Sequence, residues 1–325
     1  MLMQRLRRMA RTTLVVLVVL AAGSRLLAVA GEKADLQAVM QGPTVSILDS
    51  TRPVLRYRYT GVPFKPYADQ LFSPAGVQVL RDSPFDHKHH HALMYAVAVD
   101  GVDFWAEFNA QYGQQRQQTL SVISATPHGG VERAGFVQEL NWLGPASAKP
   151  LLVEQRAVDV LKAADFGATL VQWCCSLQTP PGKDSITIGG SHYFGLGMRF
   201  LVSMDRGGRF FNADDKTGSI IHGDEMLTPT RWCAYTAKAE GKPVTVAVFD
   251  RPANFRHPAT MFTMNTPFAY ISATMNEWKQ PFTVKAGHAL NLCYGVALWD
   301  GEVDKATVEK LYQRWVELSG QQEKN

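Results

Sequence analysis

The chain has 325 residues, 46% of them hydrophobic and 19% charged, with 33 Lys+Arg against 29 Asp+Glu. Five of those arginines and no acid fall in residues 1–30, so the remainder carries 28 basic and 29 acidic residues, a net charge of −1. That balance argues against a nucleic-acid binder, which needs a clustered basic surface.

Taken in order, residues 1–30 read as a secretory signal peptide. Arg5, Arg7, Arg8 and Arg11 precede an apolar run from about Leu14 to Ala22, and Ala28-Val29-Ala30 is a small-x-small cleavage pattern. The run is short for a membrane span. The expectation is a periplasmic or secreted protein with no stable span after cleavage. The remaining residues, 31–325, suffice for one large β domain, with about three quarters of the unfolded surface buried.

That body reads as strands. "SILDSTRPVLRYRYTG", "PLLVEQRAVDVL", "ATLVQWCCSLQT", "PVTVAVFD", "FAYISATM" and "LNLCYGVALWD" are short β-rich runs punctuated by Gly, Pro, Asn and Asp. No segment from Gly42 to Asp300 sustains a helical apolar stripe. Asp100-Gly101 predicts a two-residue hairpin turn with Val99 opposite Val102. Alternation then assigns Leu93, Tyr95, Val97, Val99, Val102, Phe104 and Phe108 to a core face. Met94, Ala96, Ala98, Trp105, Glu107 and Asn109 fall on the other, a candidate binding face. One helix is expected at about 304–319, capped by Asp304, with Val308, Leu311, Tyr312, Trp315 and Leu318 on its apolar face and Gly320 as a stop. Among the four cysteines, Cys174 and Cys175 would face opposite sides of a strand. Spacing leaves open whether Cys174, Cys175, Cys233 and Cys293 are free or bonded.

The chemistry concentrates in "DHKHHH", where Asp86 precedes His87, His89, His90 and His91. Three readings stand. The histidines, chiefly His87, His89 and His90, could hold a divalent metal with a carboxylate. They could exchange protons with a sugar. Or they could form a satisfied polar network that fixes a loop, with Trp105, Trp232 and Trp278 stacking a sugar without chemistry. A second cluster, "FDRPANFRHP", is an irregular loop offering Asn254, Arg256 and His257.

The blocks "RPVLRYRYTGVPFKPY", "FSPAGVQVLRDSPFDHKHHHAL", "DGVDFW", "YFGLGMRF", "FDRPANFRHP" and "LNLCYGVALWDGE" resemble, in that order, the PmoA-like family, often labelled "methane oxygenase PmoA". The resemblance implies an all-β fold, a large antiparallel β-supersandwich akin to galactose mutarotase, with one C-terminal helix. It marks Asp86, His87, His89, His90, Arg199, Asn254, Arg256 and His257 as site residues. The sequence departs from the family pattern at His91-Ala92, Arg251 and Phe255. "SHYFGLG" echoes the block that holds a mutarotase catalytic histidine, which falls on His192, and Glu277 stands in a mutarotase-like place for the carboxylate. A surface glutamate is the plainer reading there.

The expected function is acid–base chemistry on a sugar, of epimerase or lyase type. Its catalytic candidates are His87, His90, Arg199 and His257, and its substrate-binding candidates are Asp86, Trp105, Glu107, Asn109, Asn254 and Arg256. A non-catalytic carbohydrate-binding protein is the alternative, and a metal-dependent oxygenase the third. No cofactor is named by the residues themselves. The expected partner is a carbohydrate or other small polar ligand.

Overall fold

The computed structural model describes residues 34–321 except 125, 126 and 128. The signal-peptide expectation lies outside them. Two large antiparallel sheets of ten and eight strands dominate, with a smaller four-stranded sheet. The expected all-β supersandwich is what the chain forms. No helix among the described residues is long and apolar enough to cross a membrane.

The two large sheets face each other across one core. Tyr57 of the strand Arg52–Arg58 meets Phe136 and Trp173 of the opposite sheet, at centroid distances of 4.6 and 5.8 Å. Tyr95 meets Trp142 at 6.3 Å in the same layer. The central strands of the eight-stranded sheet are buried on both sides. In Ala289–Asp300, Leu290, Leu292, Tyr294, Val296 and Leu298 join the inter-sheet core, while Cys293, Ala297 and Trp299 join a second cluster. A helix, Lys305–Gln321, covers that second cluster with Val308, Leu311, Tyr312 and Trp315. This double burial is why "LNLCYGVALWD" reads as nearly continuous apolar sequence.

The helix starts as its sequence dictates, with Asp304 Oδ1 accepting the Thr307 N–H at 2.8 Å. It runs through Gly320, which was expected to stop it. The Asp100-Gly101 turn also forms, both residues having positive φ (50° and 80°), and Val99 lies opposite Val102. The ladder ends at Ala98–Asp103, however. Asp103 Oδ1 accepts the Trp105 and Ala106 N–H groups at 2.6 and 3.2 Å and turns the chain off the strand. The expected two-face alternation therefore fails past residue 103. Phe108, assigned to the core, is 70% exposed. Met94 and Ala96, assigned to a binding face, are as buried as Leu93 and Tyr95, because this strand has cover on both sides.

Cys174 and Cys293 are directly opposite in adjacent strands and form a disulfide across 119 residues; Cys175 and Cys233 are free and buried. Denatured protein prepared without reductant should titrate two thiols, and four after reduction. Four before reduction would mean the bond does not form.

Candidate functional site

Strand register puts Met94, Gly197, Arg199, Tyr270, Phe262 and Met264 on one face of the ten-stranded sheet, the face turned away from the sandwich core. Over this face the chain folds two covers. One is the segment from Trp105 to Tyr112. The other is the loop carrying the histidines. Between them lies a cleft of about 550 Å³. Gly197 makes the arrangement possible, since a Cβ there would sit 2.0 Å from the Tyr270 hydroxyl and 2.8 Å from the Trp105 ring.

The histidine segment is a closed loop and not a strand extension. Asp82 bridges His91 across its base, and the Ser83 N–H donates to the His90 carbonyl at 3.0 Å. Inside, the His87 N–H donates to Pro84 O and the His90 N–H to His87 O. These turns bring together side chains that alternation would separate. The ring centroids of His87, His89 and His90 are 4.6 to 5.8 Å apart. His87 and His90 stack face to face, at 4.7 Å and 30°. No group of three His, Cys, Asp or Glu among the described residues has the geometry of a metal site. The donor types suit a metal, but this arrangement does not fit one.

Asp86, His87, His89, His90 and Trp105 all line the cleft. Asp86 Oδ2 is 3.1 Å from His87 Nδ1 and 3.9 Å from Arg199 Nη2. The first distance is that of an ion pair. Burial alone would raise the Asp86 carboxyl; its partner His87, the local backbone and Arg199 hold it below the ordinary range. Arg199 lies just under the cleft, stacked 3.4 Å from the Phe268 centroid and 1% exposed. Burial pushes its guanidinium down to about 10, so it stays charged at neutral pH. Its Nε and Nη1 have no hydrogen-bond partner among the described residues.

His89 and His90 are 8% and 7% exposed. Burial, then the Lys65 and His87 charges, lowers His89 to about 4. Burial, then His89, His87 and Arg199, drives His90 further down. Both are neutral imidazoles at physiological pH. Their Nδ1 atoms have no partner, nor do Trp105 Nε1 and Tyr270 OH. Such unmet buried groups cost about 1–3 kcal/mol each, and here they cluster around one cleft.

His91 differs from its neighbours. It stacks on Tyr67 at 4.2 Å, meets Asp82 Oδ1 and Ser83 Oγ through Nδ1, and meets Glu107 Oε2 through Nε2 at 2.9 Å. Glu107 also pairs with buried Lys65, which donates to the Trp105 carbonyl. Glu107 is thus held in a structural network beside the cleft and does not line it. Asn109 is exposed and accepts the Gln111 N–H in its own turn.

Asn254, Arg256 and His257 lie elsewhere. Asn254 is bound on both sides of its amide by the Cys293 backbone and by Asp250. His257 Nδ1 meets Asp250 Oδ2 at 2.6 Å. Arg256 donates to the Met275 and Gln280 carbonyls. Their loop enters Thr260–Met264 at Thr260, whereas the cleft touches Phe262 and Met264, two and four residues or about 7 and 13 Å along the strand. Glu277, read as a surface residue, is buried, and burial pushes its carboxyl up to about 8.

Sequence reading did not single out Tyr193, Glu225, Phe262, Phe268 or Tyr270, all on the cleft. Glu225 Oε2 is 3.2 Å from His192 Nε2, so the His192 block does reach the site. A different groove of about 420 Å³, between Arg52, Phe72 and Lys162, has its lysine taken up by Asp35 and Asp49.

Residues 44–313 match the family described as "Family of unknown function (DUF6807)". The chain belongs to it. The match overturns the PmoA resemblance: the DHKHHH and FDRPANFRHP blocks both fall inside the DUF6807 match, and no PmoA family matches. No curated protein matches the chain. Among solved structures it is similar to a GH36 α-galactosidase variant from Geobacillus stearothermophilus in complex with 1-deoxygalactonojirimycin, with a TM-score of 0.46 and 10% identity over 85% of this chain and 42% of that one. It is likewise similar to the α-galactosidase from Lactobacillus brevis, with a TM-score of 0.46 and 6% identity over 87% of this chain and 42% of that one. The DUF6807 chain thus spans about two fifths of the length of these enzymes.

Proposed function

We propose that this DUF6807 protein binds a carbohydrate in the histidine cleft and performs acid–base chemistry on it, of epimerase or lyase type. Aromatic rings suit the C–H faces of a sugar. Neutral imidazoles, an indole N–H and a tyrosine hydroxyl suit its hydroxyls. The observation that carries the catalytic part is the Asp86–His87 pair with Arg199 behind it. A carboxylate at ion-pair distance from an imidazole, itself backed by a guanidinium, is the arrangement of a general base with its orienting group. His87 takes the proton from a carbon next to a carbonyl of the sugar, and the electron pair passes into that carbonyl or expels a β-substituent. Asp86 stabilises the resulting imidazolium, and Glu225, on the same cleft and paired with His192, can return a proton. We place the protein outside the cytoplasm, a reading supported by the Cys174–Cys293 bond.

The second reading is binding without chemistry. It is favoured by His89 and His90, whose rings have no orienting partner. Incubation with a panel of sugars in D2O, followed by proton NMR, separates the two. The catalytic reading expects deuterium at a sugar carbon or an unsaturated product, reduced about 100-fold or more in His87→Ala with little change in melting temperature, since the His87 side chain is 36% exposed. A sugar that binds the wild type but shows neither exchange nor elimination would leave only the binding reading.

A further inference from the structure

We propose that the ligand of this cleft carries a positive charge, and that under the carbohydrate reading above it is an amino sugar. Three carboxylates line the cleft, those of Asp86, Asp103 and Glu225, and no lysine or arginine does. The nearest cations stand behind the lining and are offset by carboxylates. Arg199 is sealed under Phe268 and offsets Asp86. Lys65 is buried against Glu107. His89 and His90 are uncharged at neutral pH. The lining therefore keeps a surplus of negative charge.

The carboxylates have oxygens to offer. Asp103 Oδ1 is used by two backbone N–H groups, which leaves Oδ2. Glu225 Oε2 meets His192, which leaves Oε1. Around them stand the rings of Trp105, Phe108, Tyr112, Tyr193, Phe268 and Tyr270. An ammonium group is attracted to the face of such rings as well as to carboxylates. A second observation points independently to a ligand. His90 is 7% exposed, stands on the lining, and its Nδ1 has no partner among the described residues. A neutral imidazole nitrogen can accept from an ammonium N–H, which a protonated one cannot. An anionic sugar would instead bring its carboxylate against the like charges of Asp103 and Glu225, with the Arg199 guanidinium behind the Phe268 ring and already offset by Asp86.

The test is titration calorimetry on the full chain with methyl glycosides of glucosamine, glucose and glucuronic acid and their galacto counterparts, at low and high salt. Tetramethylammonium serves as a sugar-free probe. An amino glycoside should bind roughly tenfold or more tighter than its neutral counterpart, the uronide should be weakest, and salt should narrow the gap. Tetramethylammonium should compete, and Glu225→Gln should reduce the preference for the amine. Equal binding of neutral and amino glycosides, or tightest binding of the uronide, overturns the charge assignment and leaves the carbohydrate reading standing. Binding of tetramethylammonium with no glycoside bound supports the charge assignment and removes the carbohydrate reading.

Discussion

Replacing Arg156 by Ala should destabilise the protein by about 3–5 kcal/mol in urea denaturation, the largest single effect expected here. Arg156 is fully buried in the inter-sheet core. It donates to both oxygens of buried Glu154, at 2.7 and 2.8 Å. It also donates to the Tyr57 hydroxyl and the Gln115 side chain, both at 2.9 Å, and lies 5.0 Å from the Trp173 ring centroid. Removing it strands the Glu154 carboxylate, with only the Trp142 indole N–H at 2.8 Å for company. The loss is that of an uncompensated buried charge, more than that of the pair's net attraction. The double variant Glu154→Leu with Arg156→Met should therefore recover more than half of the lost stability. If the double variant is as unstable as Arg156→Ala, the cause is packing, and the electrostatic account is wrong.

His91→Ala should cost about 3 kcal/mol or more and weaken ligand binding with it, although His91 does not line the cleft. His91 ties the base of the histidine loop to Asp82 and the Trp105–Tyr112 segment to Glu107. Both covers of the cleft hang on it. The same network sets a pH window. Burial works against the His91 proton, but Asp82 and Glu107 raise its pKa above the ordinary 6.5. Its contribution is complete below 6.5 and is lost as pH climbs through the raised folded value. For Asp82 and Glu107, burial works the other way, and His91, Tyr67 and Lys65 hold them below 3.8 and 4.5. Their contribution is complete above those values and is lost as pH falls through the lowered ones. Wild-type stability against pH should decline on both sides, and the alkaline decline should be shallower in His91→Ala. Parallel alkaline limbs for the two proteins would exclude His91 as its source.

Strands, the helix cap at Asp304 and the hairpin turn at Asp100-Gly101 were legible in the sequence because each rests on a local cause. Period-2 apolar runs, a carboxylate reaching a backbone N–H three residues on, and two residues of positive φ need no distant partner. The histidine segment was legible as a concentration of chemistry, since residue types alone declare that. Its division of labour was not. His87, His89 and His90 face a cleft while His91 enters a buried ion network, because Asp82, Glu107 and Lys65 happen to meet at residue 91 and not at residue 90. Extrapolating the strand alternation to Phe108 failed for a similar reason: Asp103 turns the chain through its own side chain.

The aromatic half of the cleft was invisible for a different cause. Tyr193, Phe262, Phe268 and Tyr270 look like ordinary core residues in a strand-rich sequence; only sheet register aims Phe262 and Tyr270 outward onto a shared face, and only turns bring Tyr193 and Phe268 beside them. The FDRPANFRHP loop shows the converse. Its polar residues advertise a site, yet Asn254 and His257 spend their hydrogen bonds on Cys293 and Asp250. By itself the sequence determined an all-β body, its terminal helix and the place where titratable groups gather. The tertiary structure alone decided which of those groups meet a cavity, which are satisfied internally and which rings surround them. Backbone preferences act over a few residues, whereas burial, ion pairing and the partners of a side chain are set by segments as far as 227 residues away.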